Sequence, residues 1–136
     1  MGGSIDNRDL QMEFFRIGKS FREDPYNIIV KSKPLLEKAY LSKDYNLLSM
    51  IYWLRGFSFY LLNEVSQSQE CYMKGMEYGN KSAKKSGYAL NHGFWGFQMV
   101  EMDMAGKGKQ CINEAIEQMN KEPDNDEFKN FSLGLL

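Results

Sequence analysis

His92 is the only histidine in the chain, and its ordinary pKa would suit acid–base work near neutral pH. Such a base needs a nucleophile or carboxylate beside it. Glu101 and Asp103 lie more than two turns further along the same expected helix, so His92 is expected to pack between helices rather than catalyse. Cys71 and Cys111 form no CxxC or Cys/His cluster, which argues against zinc and fits a reducing setting. Both read as small buried apolar residues. "GKGK" (106–109) has the wrong spacing for a phosphate loop and no strand before it. "KSAKK" (81–85) could touch phosphate, but at a turn between helices it reads as a solvated loop. The acidic stretch 122–127 lacks calcium-loop spacing and reads as a linker. Arg55 stands among apolar neighbours; it either holds a ligand carboxylate, or snorkels or pairs with an internal acid such as Glu64 or Glu70. These residues predict no catalytic centre, no metal and no cofactor, and the chain is expected not to be an enzyme.

The composition bounds the rest. The chain has 136 residues, 17 basic and 18 acidic side chains, 43% apolar residues and three prolines. That length supports one domain with its own core. Balanced charge argues against direct contact with nucleic acid or an anionic membrane. No run of about 18 uninterrupted apolar residues offers a membrane span. The opening "MGGS" lacks the basic and apolar regions of a signal peptide; residues 1–7 read as a disordered start or cloning scar. A cytoplasmic location is the expectation.

The elements that would position any site emerge from self-comparison. At a shift of forty residues, Gly56 meets Gly96, Phe57 meets Phe97, Cys71 meets Cys111 and Glu77 meets Glu117. Asn80 meets Asn120, and Lys81 meets Lys121. Chance would give about two identities in such a window. A small-or-apolar stripe at helical spacing follows the same register: Val65, Ser68, Tyr72, Gly75, Met76 and Gly79. Ala105, Gly108, Ile112, Ala115, Ile116 and Met119 repeat it forty residues on, and Pro25, Ile28, Ser32, Leu35, Leu36 and Ala39 forty back. Apolar segments over roughly 8–22, 45–62 and 86–104 lie between these stripes. Each is expected to be a first helix paired with a stripe helix. Asp24-Pro25 marks one stripe-helix start, Asn63-Glu64 the equivalent turn, and Pro34 predicts a kink. Gly56 and Gly96 are expected where the two helices of a pair touch, with Ser68 and Gly108 facing them.

The stretch "YWLRGFSFYLLNEVSQSQECYMKGM" resembles a tetratricopeptide repeat (TPR). Tyr52, Gly56 and Phe59 match its first helix, and Ser68, Tyr72 and Gly75 its second. In the next repeat Gly96 and Ala115 match, while Met99 and Ile112 replace aromatics; in the first, Arg16 stands where glycine belongs. Arg55 replaces the usual leucine. The forty-residue period is longer than the family's usual thirty-four and looks like the repeats of bacterial regulator sensory halves. The resemblance covers residues 8–136, as repeats 8–42, 45–82 and 86–121 and a partial one at 126–136, where Leu133-Gly134 repeats the first-helix signature.

The resemblance implies an all-α, right-handed solenoid of about three antiparallel helix pairs, ending in a partial further helix. Its first helices would line a concave groove for peptides. The groove positions fall on Met50, Trp53, Phe57 and Tyr60, on Leu90, Gly93, Phe97 and Val100, and on Leu10, Glu13, Ile17 and Ser20. Met99, Met102 and Met104 could add adaptable contacts. The same rings could instead fill the chain's own core. Trp53 and Phe57 stand where one TPR subtype carries Lys and Asn to grip a peptide carboxylate, so that specificity is not expected. The expected function is a non-catalytic scaffold binding protein or peptide. The alternative is a sensory or dimerising half of a bacterial signalling or transcription regulator. The apolar end, 128–136, either signals a fragment or packs somewhere unusual, and it predicts self-association as a homodimer.

Overall fold

The computed structural model describes residues 7–136; the expectation for the start of the chain lies outside them over 1–6. The described residues form seven helices and no strand: α1 (Asn7–Gly18), α2 (Pro25–Ser42), α3 (Tyr45–Leu61), α4 (Val65–Asn80), α5 (Ser86–Glu101), α6 (Ala105–Lys121) and α7 (Glu127–Leu133). Among the described residues no helix is long and apolar enough to cross a membrane. Helices α2, α4 and α6 begin at residues 25, 65 and 105, forty apart.

Local chemistry sets these boundaries. Asp24 caps α2 by accepting from the Asn27 N–H at 3.1 Å, with Pro25 at the first helical position. Asp44 does the same for α3 through Leu47 N–H. The turns into α4 and α6 hold Asn63 at φ 61° and Asp103 at φ 63°, left-handed values that short polar residues tolerate. Sequence neighbours pack pairwise from α1 to α6, and α3 also lies against α5. That double cover buries both faces of α3 from Asn46 through Leu54.

Close approach explains the recurring glycines. A Cβ on Gly96 would lie 2.7 Å from the Gly108 carbonyl oxygen, so α5 and α6 touch backbone to backbone. At Gly56 the neighbours are the Tyr72 ring, 2.7 Å from such a Cβ, and Cys71 Cβ at 3.1 Å, rather than the expected Ser68. Helix α2 runs unbroken through Pro34. Arg55 reaches it from α3, donating to the Ile29 carbonyl and to Ser32 Oγ, each at 2.8 Å. Its partners are therefore a helix carbonyl and a hydroxyl, not the acids expected.

A buried polar seam crosses α3, α4 and α5. Asn46 donates to Ser86 Oγ at 3.0 Å and accepts from the Gly87 N–H at 2.9 Å. Asn91 donates to the Ser49 carbonyl at 2.9 Å, and Gln98 to Ser68 Oγ at 2.7 Å. In an apolar interior such bonds fix one register, because any slip would strand buried polar atoms.

Cys71 and Cys111 are free and buried. Burial pushes the Cys71 thiol from its ordinary value of 9.0 up to about 11. The folded chain thus holds this proton more tightly than the unfolded one. Its contribution is whole below pH 9 and is lost as pH rises through 11, about 2 to 3 kcal/mol over that window. Burial also raises the pKa of Tyr52 and Tyr72, which act in the same direction. Urea midpoints measured from pH 8 to 11 are expected to fall with pH, and to fall less steeply in Cys71→Ala.

Candidate functional site

Along α3, Trp53, Phe57 and Tyr60 fall on one helical face and form a ladder of rings. Trp53 stacks on Phe57 with centroids 6.0 Å apart, and Phe57 on Tyr60 at 6.1 Å. From α5, Phe94 meets Phe57 edge-on at 5.3 Å and Phe97 at 5.1 Å. Phe21, in the turn after α1, closes the side at 5.5 Å from Phe57. Phe21, Phe57, Tyr60, Phe94 and Phe97, with Tyr72 of α4, wall a half-open pocket of about 350 Å³. Leu135, beyond α7, completes the apolar lining.

Arg22, Tyr60, Gln98 and Glu101 bring polar groups to this pocket. Tyr60 Oη donates to Glu101 Oε1, and that bond, with partial burial, raises the Tyr60 pKa. Arg22 lies over the Phe21 ring, 5.1 Å from its centroid. Gln98 spends its amide N–H on Ser68, while its Oε1 is buried with no hydrogen-bond partner among the described residues. The pocket thus offers apolar walls and a rim carrying both charges. That arrangement suits an apolar side chain. No family model, curated protein or solved structure matches the chain.

The expected groove residues divide sharply. Phe57, Tyr60 and Phe97 come together at the pocket. Met50, Trp53 and Leu90 are 0% exposed and belong to the core, so they offer no ligand contact. Val100 is exposed at the end of α5 but does not line the pocket. Leu10, Glu13 and Ile17 face a separate cavity of about 270 Å³ between α1 and α2, beside Lys31 and Lys38. Leu10 and Ile17 are also buried, together with Phe14, which the expected positions did not include and which packs on Phe128 and Phe131. Phe21, Arg22, Tyr72, Phe94, Gln98, Glu101 and Leu135 are pocket residues that the expected groove positions do not include. An aromatic beside a turn was the only available signal for Phe21.

Trp53 is covered by the chain's own end. Phe131 of α7 meets Trp53 edge-on at 5.6 Å, and Phe14 at 6.1 Å. Phe128 is buried against Phe14 at 5.6 Å. The stretch that gave grounds for self-association is thus packed on this chain's core. The acidic segment before it is a latch more than a linker. Glu122 accepts from the Lys85 N–H at 2.7 Å, and Asp126 from Ser86 Oγ at 3.1 Å, both at the start of α5. Asp126 also caps α7, accepting from the Phe128 and Lys129 N–H groups. Lys129 lies over the segment, donating to the Glu122 carbonyl and to Asp124, each at 2.8 Å. The Lys129 hydrogen bond, helped by its charge, pulls the Asp124 carboxyl below its ordinary range.

Asp126→Ala removes a cap and a buried charged acceptor together, and is expected to cost about 2 to 4 kcal/mol. Asp126→Asn keeps the cap and is expected to recover at least half of that. Urea unfolding of both variants checks this.

The other reactive groups stay apart from this pocket. His92 stacks on Tyr88 at 5.8 Å, and its Nε2 lies 3.9 Å from Glu114 Oε2 on α6. The cavity there, about 160 Å³, is lined by no Ser, Thr, Cys or Lys. Within "KSAKK", Lys85 caps the end of α4 through the Asn80 carbonyl, and Lys81 lies over the Tyr78 ring. Among the described residues no group of His, Cys, Asp and Glu is placed to hold a metal ion.

Proposed function

We propose that this chain is a non-catalytic binding scaffold: a short TPR-like stack of helix pairs whose concave face takes a peptide segment of another protein. The observation that carries this reading is the half-open ring-walled pocket, where Phe57, Tyr60 and Phe97 stay partly exposed beside an otherwise well-filled core. Exposed rings in a concavity gain more from a partner's apolar side chain than from water. Forty-residue spacing of the α2, α4 and α6 starts favours the repeat architecture. Free Cys71 and Cys111 are in keeping with a cytoplasmic setting.

Display of random peptides against the full chain tests the reading. Peptides selected by the parent are expected to carry a bulky apolar residue. Their affinity is expected to drop at least tenfold with Tyr60→Ala/Phe97→Ala. Selected peptides that bind this folded double variant equally well would remove the pocket from the account.

A further inference from the structure

The concave face already holds a helix. Helix α7 and the two leucines after it lie against its lower part, with Phe128, Phe131 and Leu135 at i, i+3 and i+7 turned inward. That is the anchor spacing of an amphipathic helix in an apolar groove. Phe131 covers Trp53, and Leu135 forms part of the pocket wall. Leu136 fills the notch left by Gly93: a Cβ there would lie 2.5 Å from Leu136 Cδ2, with only Ala115 Cβ also close, at 3.2 Å.

The two ends of this segment are held differently. At its start, Asp126 and Lys129 make buried hydrogen bonds to the chain. Beyond Ser132, the hydrogen bonds run back within the segment, from the Leu135 and Leu136 N–H groups to the Ser132 carbonyl, and contact with the rest of the molecule is apolar. Phe131, Leu135 and Leu136 are only partly buried. The outer half can leave while the latch at 122–129 stays closed.

We propose that α7 with Leu135 and Leu136 is a built-in competitor for this face, and that the partner is a segment of the same chemistry. That segment is a short amphipathic helix on another protein, with an aromatic residue at i and branched aliphatic residues at i+4 and i+5, the spacing of Phe131, Leu135 and Leu136. This rests on the groove reading above and gives it an occupant. The seated segment is itself the record of what the surface accepts. A tethered segment competes at an effective concentration near the millimolar range, so a free partner binds weakly until the tail is loosened.

The test uses the full chain and a fluorescein-labelled peptide with the sequence of residues 124–136. Binding is read by anisotropy for the parent and for Leu135→Ser/Leu136→Ser, with Phe131→Ala as a second loosened variant; circular dichroism confirms that each is folded. The expected result is at least tenfold tighter binding by the loosened chains. Adding Gly93→Ala to the double-serine chain is expected to weaken binding at least threefold, since the peptide's last leucine would meet the new methyl group.

Equal affinity for parent and loosened chains overturns the proposal, and so does binding to neither. A tail-exchanged dimer of the parent in light scattering also overturns it, by assigning the face to a second copy. The groove reading fails separately: it stands as long as peptides selected by the parent are lost with Tyr60→Ala/Phe97→Ala.

Discussion

Trp53→Ala is expected to destabilise the chain by about 3 to 5 kcal/mol, the range for deleting a large buried aromatic. The ring is fully buried, and Phe21, Phe57, Phe94 and Phe131 all stand within about 6 Å of it. Three elements besides α3 meet there: the turn after α1, helix α5 and helix α7. Removing the indole leaves a cavity that the stacked helices cannot close without breaking the α5 contacts. Phe97→Ala, one pocket wall away, is expected to cost only about 1 kcal/mol, because that ring is partly exposed already. Urea unfolding of the two variants separates core from groove. A Trp53→Ala cost near that of Phe97→Ala would place the indole on the surface.

Gly108→Ala is expected to cost about 3 kcal/mol, even though alanine is the better helix former by about 1 kcal/mol. A Cβ at Gly108 would lie 2.5 Å from the Gly96 carbonyl oxygen and 3.0 Å from the Val100 amide nitrogen. Both are backbone atoms, and neither can rotate away. Relief requires α5 and α6 to separate, which loosens the most extensive helix pair in the molecule. Gly106, two residues earlier on α6, has nothing within 4 Å of such a Cβ. Gly106→Ala is therefore expected to be neutral or to stabilise by up to about 1 kcal/mol. At about 3 °C per kcal/mol, the two alanines should melt roughly 10 °C apart. Coincident melting curves would mean that α5 and α6 do not approach as described.

Helix positions were legible in the sequence for a simple reason. A cap such as Asp24-Pro25 and an apolar stripe such as Val65 to Gly79 are local, and they act within a few residues. The recurrence of Gly96 opposite Gly108 was legible as well, because only a close helix pair favours glycine on both sides. What covers a face is not local. Trp53 and Phe57 share one helical face, yet Phe131 arrives from far along the chain to bury the first, and the second remains at the pocket. On α1, Leu10 and Ile17 are buried together with Phe14, which was not among the expected positions. Phe14 is placed by meeting Phe128 and Phe131, and no period within α1 encodes that meeting. Glu122 and Asp126 read as part of a linker between repeats; only the start of α5 beside them makes them buried acceptors. Arg55 posed the same problem, with its partners on a helix that precedes it by more than twenty residues.

The proposed partner sits on the concave face, at Phe97 and Tyr60. The most direct measurement places a benzoylphenylalanine photo-crosslinker at one of three positions in the full chain. Two are Phe97 and Tyr60; the third is Met73, exposed on α4 and outside the pocket. Irradiation in cells, followed by mass spectrometry of the adducts, reads which face touches another protein. A shared adduct is expected at Phe97 and Tyr60, carried on a peptide with a bulky apolar residue, and none at Met73. An adduct at Met73 with none at the two pocket positions would contradict it.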